Sequence, residues 1–209
     1  PGFFDDAPIG CAFRDCFVTV KDGVVIREPH SPEHRARYAF DFDYDPKARH
    51  PELDIFFEEV FADVSEADRA DRIACLQEHA GAALLGMATS YQQALLAHGP
   101  GGTGKSQYAE ILLAMFPSRA VVSLPPHRWA ERFDLSHLAG KALNVVAELP
   151  AAELVSTESF KSVIVGDPLT AERKFQSAFD FRPRAAHLFL ANHLPPTGDL
   201  SDAFFRRFL

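Results

Sequence analysis

The sequence is poor in sulfur and indole: its 209 residues hold 3 Cys, 2 Met and 1 Trp. Cys11, Cys16 and Cys75 form no CxxC pair, cannot all pair with one another, and stand at no ligand spacing from a histidine. Neither a disulfide framework nor a structural zinc site is expected, and reduced thiols fit a cytoplasmic location. The nine histidines contain no HExxH or comparable metal pattern. No apolar run approaches the length of a membrane span and no signal peptide opens the chain, so no membrane partner is expected. Positive charge is also scarce, with 21 Lys and Arg against 29 Asp and Glu and a net charge of -8. That argues against a surface coated for nucleic acid. The deficit is uneven: residues 1–90 hold 18 acidic and 9 basic side chains, the remainder 11 and 12. A nucleic-acid contact would therefore be local and in the second half.

Core material is plentiful, at 47% hydrophobic residues, and the length suits one large domain or one domain plus a small one. Pro1 stands where a start methionine would, so the chain reads as a piece of a longer protein, cut at least at the front. FVTVKDGVVIRE is two β-branched runs around Asp22-Gly23, which predicts a hairpin. The stretch from Ser31 to Glu52 has aromatics but no period and is read as irregular. Leu53, Phe56, Phe57, Val60, Phe61 and Val64 form one apolar helix face. Ser65 opens a second helix, with Ile73, Leu76, Ala80 and Leu84 inward and Gly86 as its stop. Residues 1–88 thus read as an acidic, mostly helical module with a β-hairpin.

Residues 89–209 read differently. YQQALLAHG, RAVVSL, ALNVVAE and AHLFLAN are read as strands, and helical segments lie between them. This alternation predicts an α/β core, a parallel sheet with flanking helices. ALNVVAE is almost wholly apolar, as a strand buried on both faces would be.

The stretch from Gly99 to Ser106, GPGGTGKS, is a full GxxxxGK[ST] match between a predicted strand and a predicted helix. Gly99, Gly101, Gly102 and Gly104 give the backbone freedom to turn successive N–H groups toward an anion, with Thr103 within the loop and Gln107 just after it also expected at the cofactor. The helix behind the loop adds its positive N-terminal end. Lys105 can reach terminal phosphates and Ser106 can hold Mg2+, so a P-loop NTPase core using ATP and Mg2+ is expected. Glu148 closes the third strand, at the carboxyl end where ligands sit in parallel sheets, and can orient water or support the metal. Such strands usually end in two acids. Here Ala147 takes the first position, so metal binding leans on Ser106, the phosphates and water. The loop alone does not choose between a kinase, a GTPase and a motor.

FDLSHLAGKALNVVAELP, FKSVIVGDPLTAERKFQSAFDFRPRAAHLFLANHLP and SDAFFRRF follow in order. This series resembles the superfamily 3 helicases, specifically the phage and plasmid primase–helicases related to the poxvirus one. The resemblance is specific in the back half and loose in the front. It implies an AAA+-like ATPase core that works as a homo-oligomeric ring, a hexamer, on single-stranded or forked DNA in a bacterial or phage-infected cytoplasm. It implies a primase domain upstream and a core that continues past Leu209. Asn192 matches the polar sensor of the γ-phosphate, and Arg207 the arginine finger lent to a neighbouring subunit, with Arg206 as runner-up. Lys161, Gly166 and Asp167 match the motif ahead of the sensor strand. Arg173, Lys174 and Phe175 fall in the DNA-contacting hairpin. Relatives carry a further basic residue there, whereas Gln176, Ser177 and Ala178 are neutral. Trp129 and His193 read as packing and loop residues.

Two other functions use the same loop. A nucleotide-dependent assembly or packaging ATPase would need Lys105 and Arg207 but not Lys174. A small-molecule P-loop kinase would act as a monomer and need an acceptor pocket.

Overall fold

The structure, a computed structural model, describes residues 7–149, 156–193 and 201–209. Pro1, and the motif ends at Pro150 and at Leu194 and Pro195, lie outside them.

β1 (Cys11–Ala12), β2 (Phe17–Lys21) and β3 (Val24–Glu28) form an antiparallel sheet in that order. Lys21 pairs with Val24 across Asp22 and Gly23, whose φ values of 52° and 76° are those of a two-residue hairpin turn. The following segment is irregular apart from a 3-10 turn over Pro32–His34, and Ala39 bridges to Ala12. α1 (Pro51–Val60) starts on a proline, which has no N–H to leave unpaired. The apolar face predicted a helix through Val64, but it stops at Val60. Arg69 of the next helix donates to the Phe61 carbonyl at 3.1 Å, which satisfies the freed helix end. α2 (Glu66–Leu85) is bounded as predicted: Ser65 accepts from the Asp68 N–H at 3.2 Å, and Gly86 caps at φ 68°. Its deepest residues are His79, Ala82 and Ala83, while Ile73, Leu76, Ala80 and Leu84 are half-buried.

The segment read as a strand from Tyr91 is corrected at its start. α3 (Ala88–Tyr91) occupies it, Gln92 turns the chain at φ 57°, and β4 runs only over Leu95–His98. After α2 the chain must reverse into the sheet, and a short helix with a left-handed cap makes that turn.

α4 (Lys105–Ala114), β5 (Val121–Val122), α5 (Arg132–Leu135), β6 (Leu143–Val146) and α6 (Thr157–Val165) come next. The hairpin of β7 (Leu169–Ala171) and β8 (Phe179–Phe181), then β9 (Ala186–Ala191) and α7 (Asp202–Phe205), complete the chain. The four-stranded sheet is parallel throughout, in the order β4-β9-β6-β5. Phe208 bridges Ala94 in parallel on the open side of β4, where the Ala94 N–H donates to the Arg207 carbonyl at 2.8 Å. This is the expected α/β architecture, a parallel sheet with helices on both faces.

Alternation explains why the central strands are apolar end to end. Leu143, Val145, Leu188 and Leu190 pack on one face with Tyr108, Ala109 and Leu112 of α4 and Ala82 and Ala83 of α2. Val146, Phe189 and Ala191 pack on the other with Trp129 and with Phe160, Val163 and Ile164 of α6. His187 of β9 and Asn144 of β6 are the buried polar exceptions, and Asn144 is fully buried. Its amide accepts from the Leu124 N–H at 2.8 Å and donates to the Leu124 carbonyl at 3.0 Å, pinning the loop after β5. Trp129, 1% exposed, donates to the same carbonyl at 3.0 Å, so the one indole is a core residue as read.

Candidate functional site

Three strand ends converge on the glycine loop. β4 leads directly into it, and a cavity of about 560 Å³ there is lined by residues 101–107, Ala147, Glu148, Leu190, Ala191 and Asn192. The parallel sheet brings them together: residues just past the carboxyl ends of β6 and β9 lie beside the loop that follows β4. Glu148 lies two residues beyond the end of β6 at Val146, on an exposed bend, and Asn192 directly follows β9. The Gly99 N–H donates to the Ala191 carbonyl at 3.1 Å and the Leu149 N–H to the Leu190 carbonyl at 3.0 Å. These backbone bonds fix the loop, the Glu148 bend and the Asn192 position against one strand.

The loop conformation is that of an anion cradle. Gly102 and Gly104 sit at φ 81° and 80°, in the left-handed region that side chains resist. Gly104 is doubly constrained: a Cβ there would lie 2.6 Å from Val60 Cγ2, because the end of α1 rests against the loop. The ten-residue α4 begins at Lys105 and directs its first N–H groups at the cavity. The Lys105 ammonium folds back over the loop, donating to the carbonyls of Gly99 at 2.8 Å and Pro100 at 2.7 Å and to Thr103 Oγ1 at 3.3 Å. A phosphate oxygen is a stronger acceptor than these carbonyls. The donor set therefore fits a polyphosphate. Among the described residues no cluster of three or more His, Cys, Asp or Glu could hold a metal. A divalent ion at this site would have to take Ser106, Glu148, phosphate oxygens and water, which is how Mg2+ is commonly held.

The remaining candidates lie elsewhere. Lys161 is in the middle of α6, Gly166 caps that helix at φ 79°, and the Asp167 N–H donates to the Ser162 carbonyl at 3.0 Å. Gly166 and Asp167 terminate α6 and launch the hairpin, and none of the three lines the loop cavity. Arg173, Lys174 and Phe175 sit in the turn between β7 and β8, with Phe175 fully exposed at φ 62°. The Arg173 guanidinium lies 4.8 Å from the Phe179 ring centroid.

Arg206 and Arg207 follow α7 at the far end of β4, level with Gln92 to Ala94. The loop lies some five residues along, roughly 16 Å at strand rise. Arg206 is exposed, and its carbonyl accepts from Gln93 at 3.2 Å. Arg207 is half-buried, with Nη1 donating to the Gln92 side-chain oxygen and Nε without a partner among the described residues. Tyr91 and Phe205 beside the pair are 59% and 51% exposed, a partly apolar surface at this edge.

The sequence reading missed a buried polar cluster around β9. His79 Nε2 donates to the His187 carbonyl at 3.1 Å, and Asn144 donates to His187 Nδ1 at 3.1 Å. Desolvation pushes His79 down to about 4. Desolvation, with His79 nearby, pushes His187 to about 3. No local signal marks His79 as buried, since its partner is 108 positions away.

A family model described as a family of unknown function, DUF5906, matches residues 97–207, from the end of β4 to the arginine pair. No curated protein matches the chain. Among solved structures the chain is similar to an apo form of the NrS-1 C-terminal region, with a TM-score of 0.58 at 18% identity, covering 91% of this chain and 43% of that one. It is also similar to another apo structure of that region, with a TM-score of 0.55 at 13% identity, covering 95% and 57%. JCV helicase bound to a thiazolopyridine acetamide gives 0.43 at 17% identity over 78% and 45%, and no inference rests on it. At these identities the likeness concerns the fold alone. The chain spans about half the length of these structures, 43% to 57%.

Proposed function

The chain belongs to the DUF5906 family, whose function is unknown, and from its own site we propose that it is an ATP-driven DNA helicase motor of the superfamily 3, primase–helicase type. One observation carries this reading. The phosphate loop, Glu148 and Asn192 line a single cavity, while the arginine pair lies at the opposite end of β4 beside exposed Tyr91 and Phe205. A guanidinium so placed cannot serve its own nucleotide, but it is available to the site of an adjoining copy. A monomeric kinase has no use for it.

In this reading Lys105 and the loop N–H groups bind the ATP phosphates, with Gly101, Gly102 and Gly104 forming the cradle. Ser106 holds Mg2+, which would neutralise charge developing on the phosphates. Glu148 takes a proton from the attacking water, and the Asn192 amide, both donor and acceptor, orients that water against the terminal phosphate. Arg207 or the exposed Arg206 completes the neighbour's site. Arg207 must leave Gln92 to do so, whereas Arg206 needs no such release. Such fingers raise rates by about 10³–10⁵ in other phosphate-loop enzymes. Arg173, Lys174 and Phe175 grip one DNA strand in the channel of a hexameric ring, which a primase domain precedes in the full-length protein.

The test is subunit mixing. Lys105→Ala protein and Arg206→Ala,Arg207→Ala protein are each expected to be inactive alone. Mixed at equal amounts, some interfaces regain an intact loop facing an intact finger, and hydrolysis returns in part. Single-stranded DNA should raise the wild-type rate, and the rate per subunit should climb with protein concentration. Constant specific activity on dilution, with no rescue at any mixing ratio, refutes the ring. Transfer of the γ-phosphate to a metabolite by that dilute protein would make it a kinase.

A further inference from the structure

A second cleft lies at the other end of the sheet from the nucleotide cavity. It has a volume of about 720 Å³, and its cations come from four separated segments: Arg37 from the N-terminal strap, Arg119 from the turn before β5, Lys141 from the turn before β6, and Arg173 and Lys174 from the hairpin. The acids facing them are Asp134 and Glu172. Asp134 is held by both arms of Arg128, at 2.8 and 2.7 Å, so its charge is already answered. Arg119, Lys141, Arg173 and Lys174, with Arg37 beside them, thus face Glu172 as the remaining carboxylate of the lining, in a chain whose net charge is -8. The placement is built. The Arg37 guanidinium lies against Gly140, where a Cβ would come within 2.9 Å of it. Lys141 donates to the Arg119 carbonyl at 2.7 Å, and Arg173 is steadied over Phe179.

We propose that this cleft is the track of a single-stranded nucleic acid, with Arg37, Arg119 and Lys141 forming one wall opposite Arg173 and Lys174. Aromatic side chains interleave with the cations. Tyr38 and the 49% exposed Phe133 line the cleft, and Phe175 stands fully exposed beside Lys174 at the hairpin turn. Cations spaced along a groove follow a phosphodiester chain, and exposed rings stack unpaired bases. A free polyphosphate would instead favour charges converging on one point with backbone N–H groups, as in the glycine loop. An acidic peptide has no use for the rings. The grip of the hairpin therefore does not end at its turn, where Gln176, Ser177 and Ala178 are neutral. The inference deepens the helicase reading by giving the strand a path, but it needs no hydrolysis.

The experiment is nucleotide-free binding of a labelled oligo-dT to the chain, followed by fluorescence anisotropy across a salt series. Arg119→Gln,Lys141→Gln should weaken binding at least tenfold. It should also lower the log–log salt slope by about 1.4, which is about 0.7 for each lost phosphate contact on a single strand. Arg119 is exposed and Lys141 bonds only a surface carbonyl. A melting midpoint matching wild type checks the fold, and Arg119→Gln alone, with half the slope change, stands in should the double variant unfold. Unchanged affinity and slope overturn the track. So does displacement of the oligonucleotide by polyglutamate or tripolyphosphate at equal charge concentration. If the wild type hydrolyses no ATP and yet binding still depends on Arg119 and Lys141, the motor reading fails and the track stands.

Discussion

Acid should unfold this protein through two buried histidines packed at the sheet. His79 and His187 are both neutral in the fold, with values lowered by burial to about 4 and about 3 from an ordinary 6.5. A depressed base binds its proton more readily in the unfolded chain. Its contribution is therefore intact above pH 6.5 and is lost as pH falls toward the folded values. Between pH 8 and pH 5 each imidazole gives up about 2 kcal/mol, so the pair removes about 4 kcal/mol. That is a large share of a typical domain's 5–15 kcal/mol. Urea unfolding followed by Trp129 fluorescence measures it, and the probe is well placed, with its ring centroid 4.8 Å from that of His187. His79→Gln keeps a donor for the His187 carbonyl but cannot titrate, so it should roughly halve the loss between pH 8 and pH 5. Should the pH dependence of wild type and His79→Gln run parallel, burial of these imidazoles is not what makes the fold acid-sensitive.

Three further outcomes follow from the site and its supports. Glu148→Gln should retain nucleotide binding, read with a fluorescent ATP analogue, while hydrolysis falls by about 10²–10⁴ for loss of the base. Gly104→Ala places a side chain at φ 80° and 2.6 Å from Val60, so calorimetry should show ATP binding weakened at least tenfold; adding Val60→Ala relieves the contact but not the backbone strain, and should recover only part. Asn144→Ala strands the Leu124 backbone groups and His187 Nδ1 in the core, which should cost about 3 kcal/mol in denaturant unfolding without altering the glycine loop.

What the sequence determined by itself was local. GPGGTGKS marks the loop because glycines and Lys105 act within one turn. Asp22-Gly23, Ser65 and Gly86 mark element ends because caps and turns are settled within four residues. The apolar run in β6 announced a strand covered on both faces before either helix was placed. Tertiary structure decided the rest. Glu148 and Asn192 acquire a shared cavity with the loop only because β4, β9 and β6 run parallel and end together. Burial of His79, the tether of Arg207 to Gln92, and the meeting of Arg37 with Arg119 and Lys141 depend on partners from 22 to 115 positions apart. No residue pattern encodes such distances. They arise when sheet pairing and face-to-face packing close the chain on itself, which is why the glycine loop could be read as letters and the basic cleft could not.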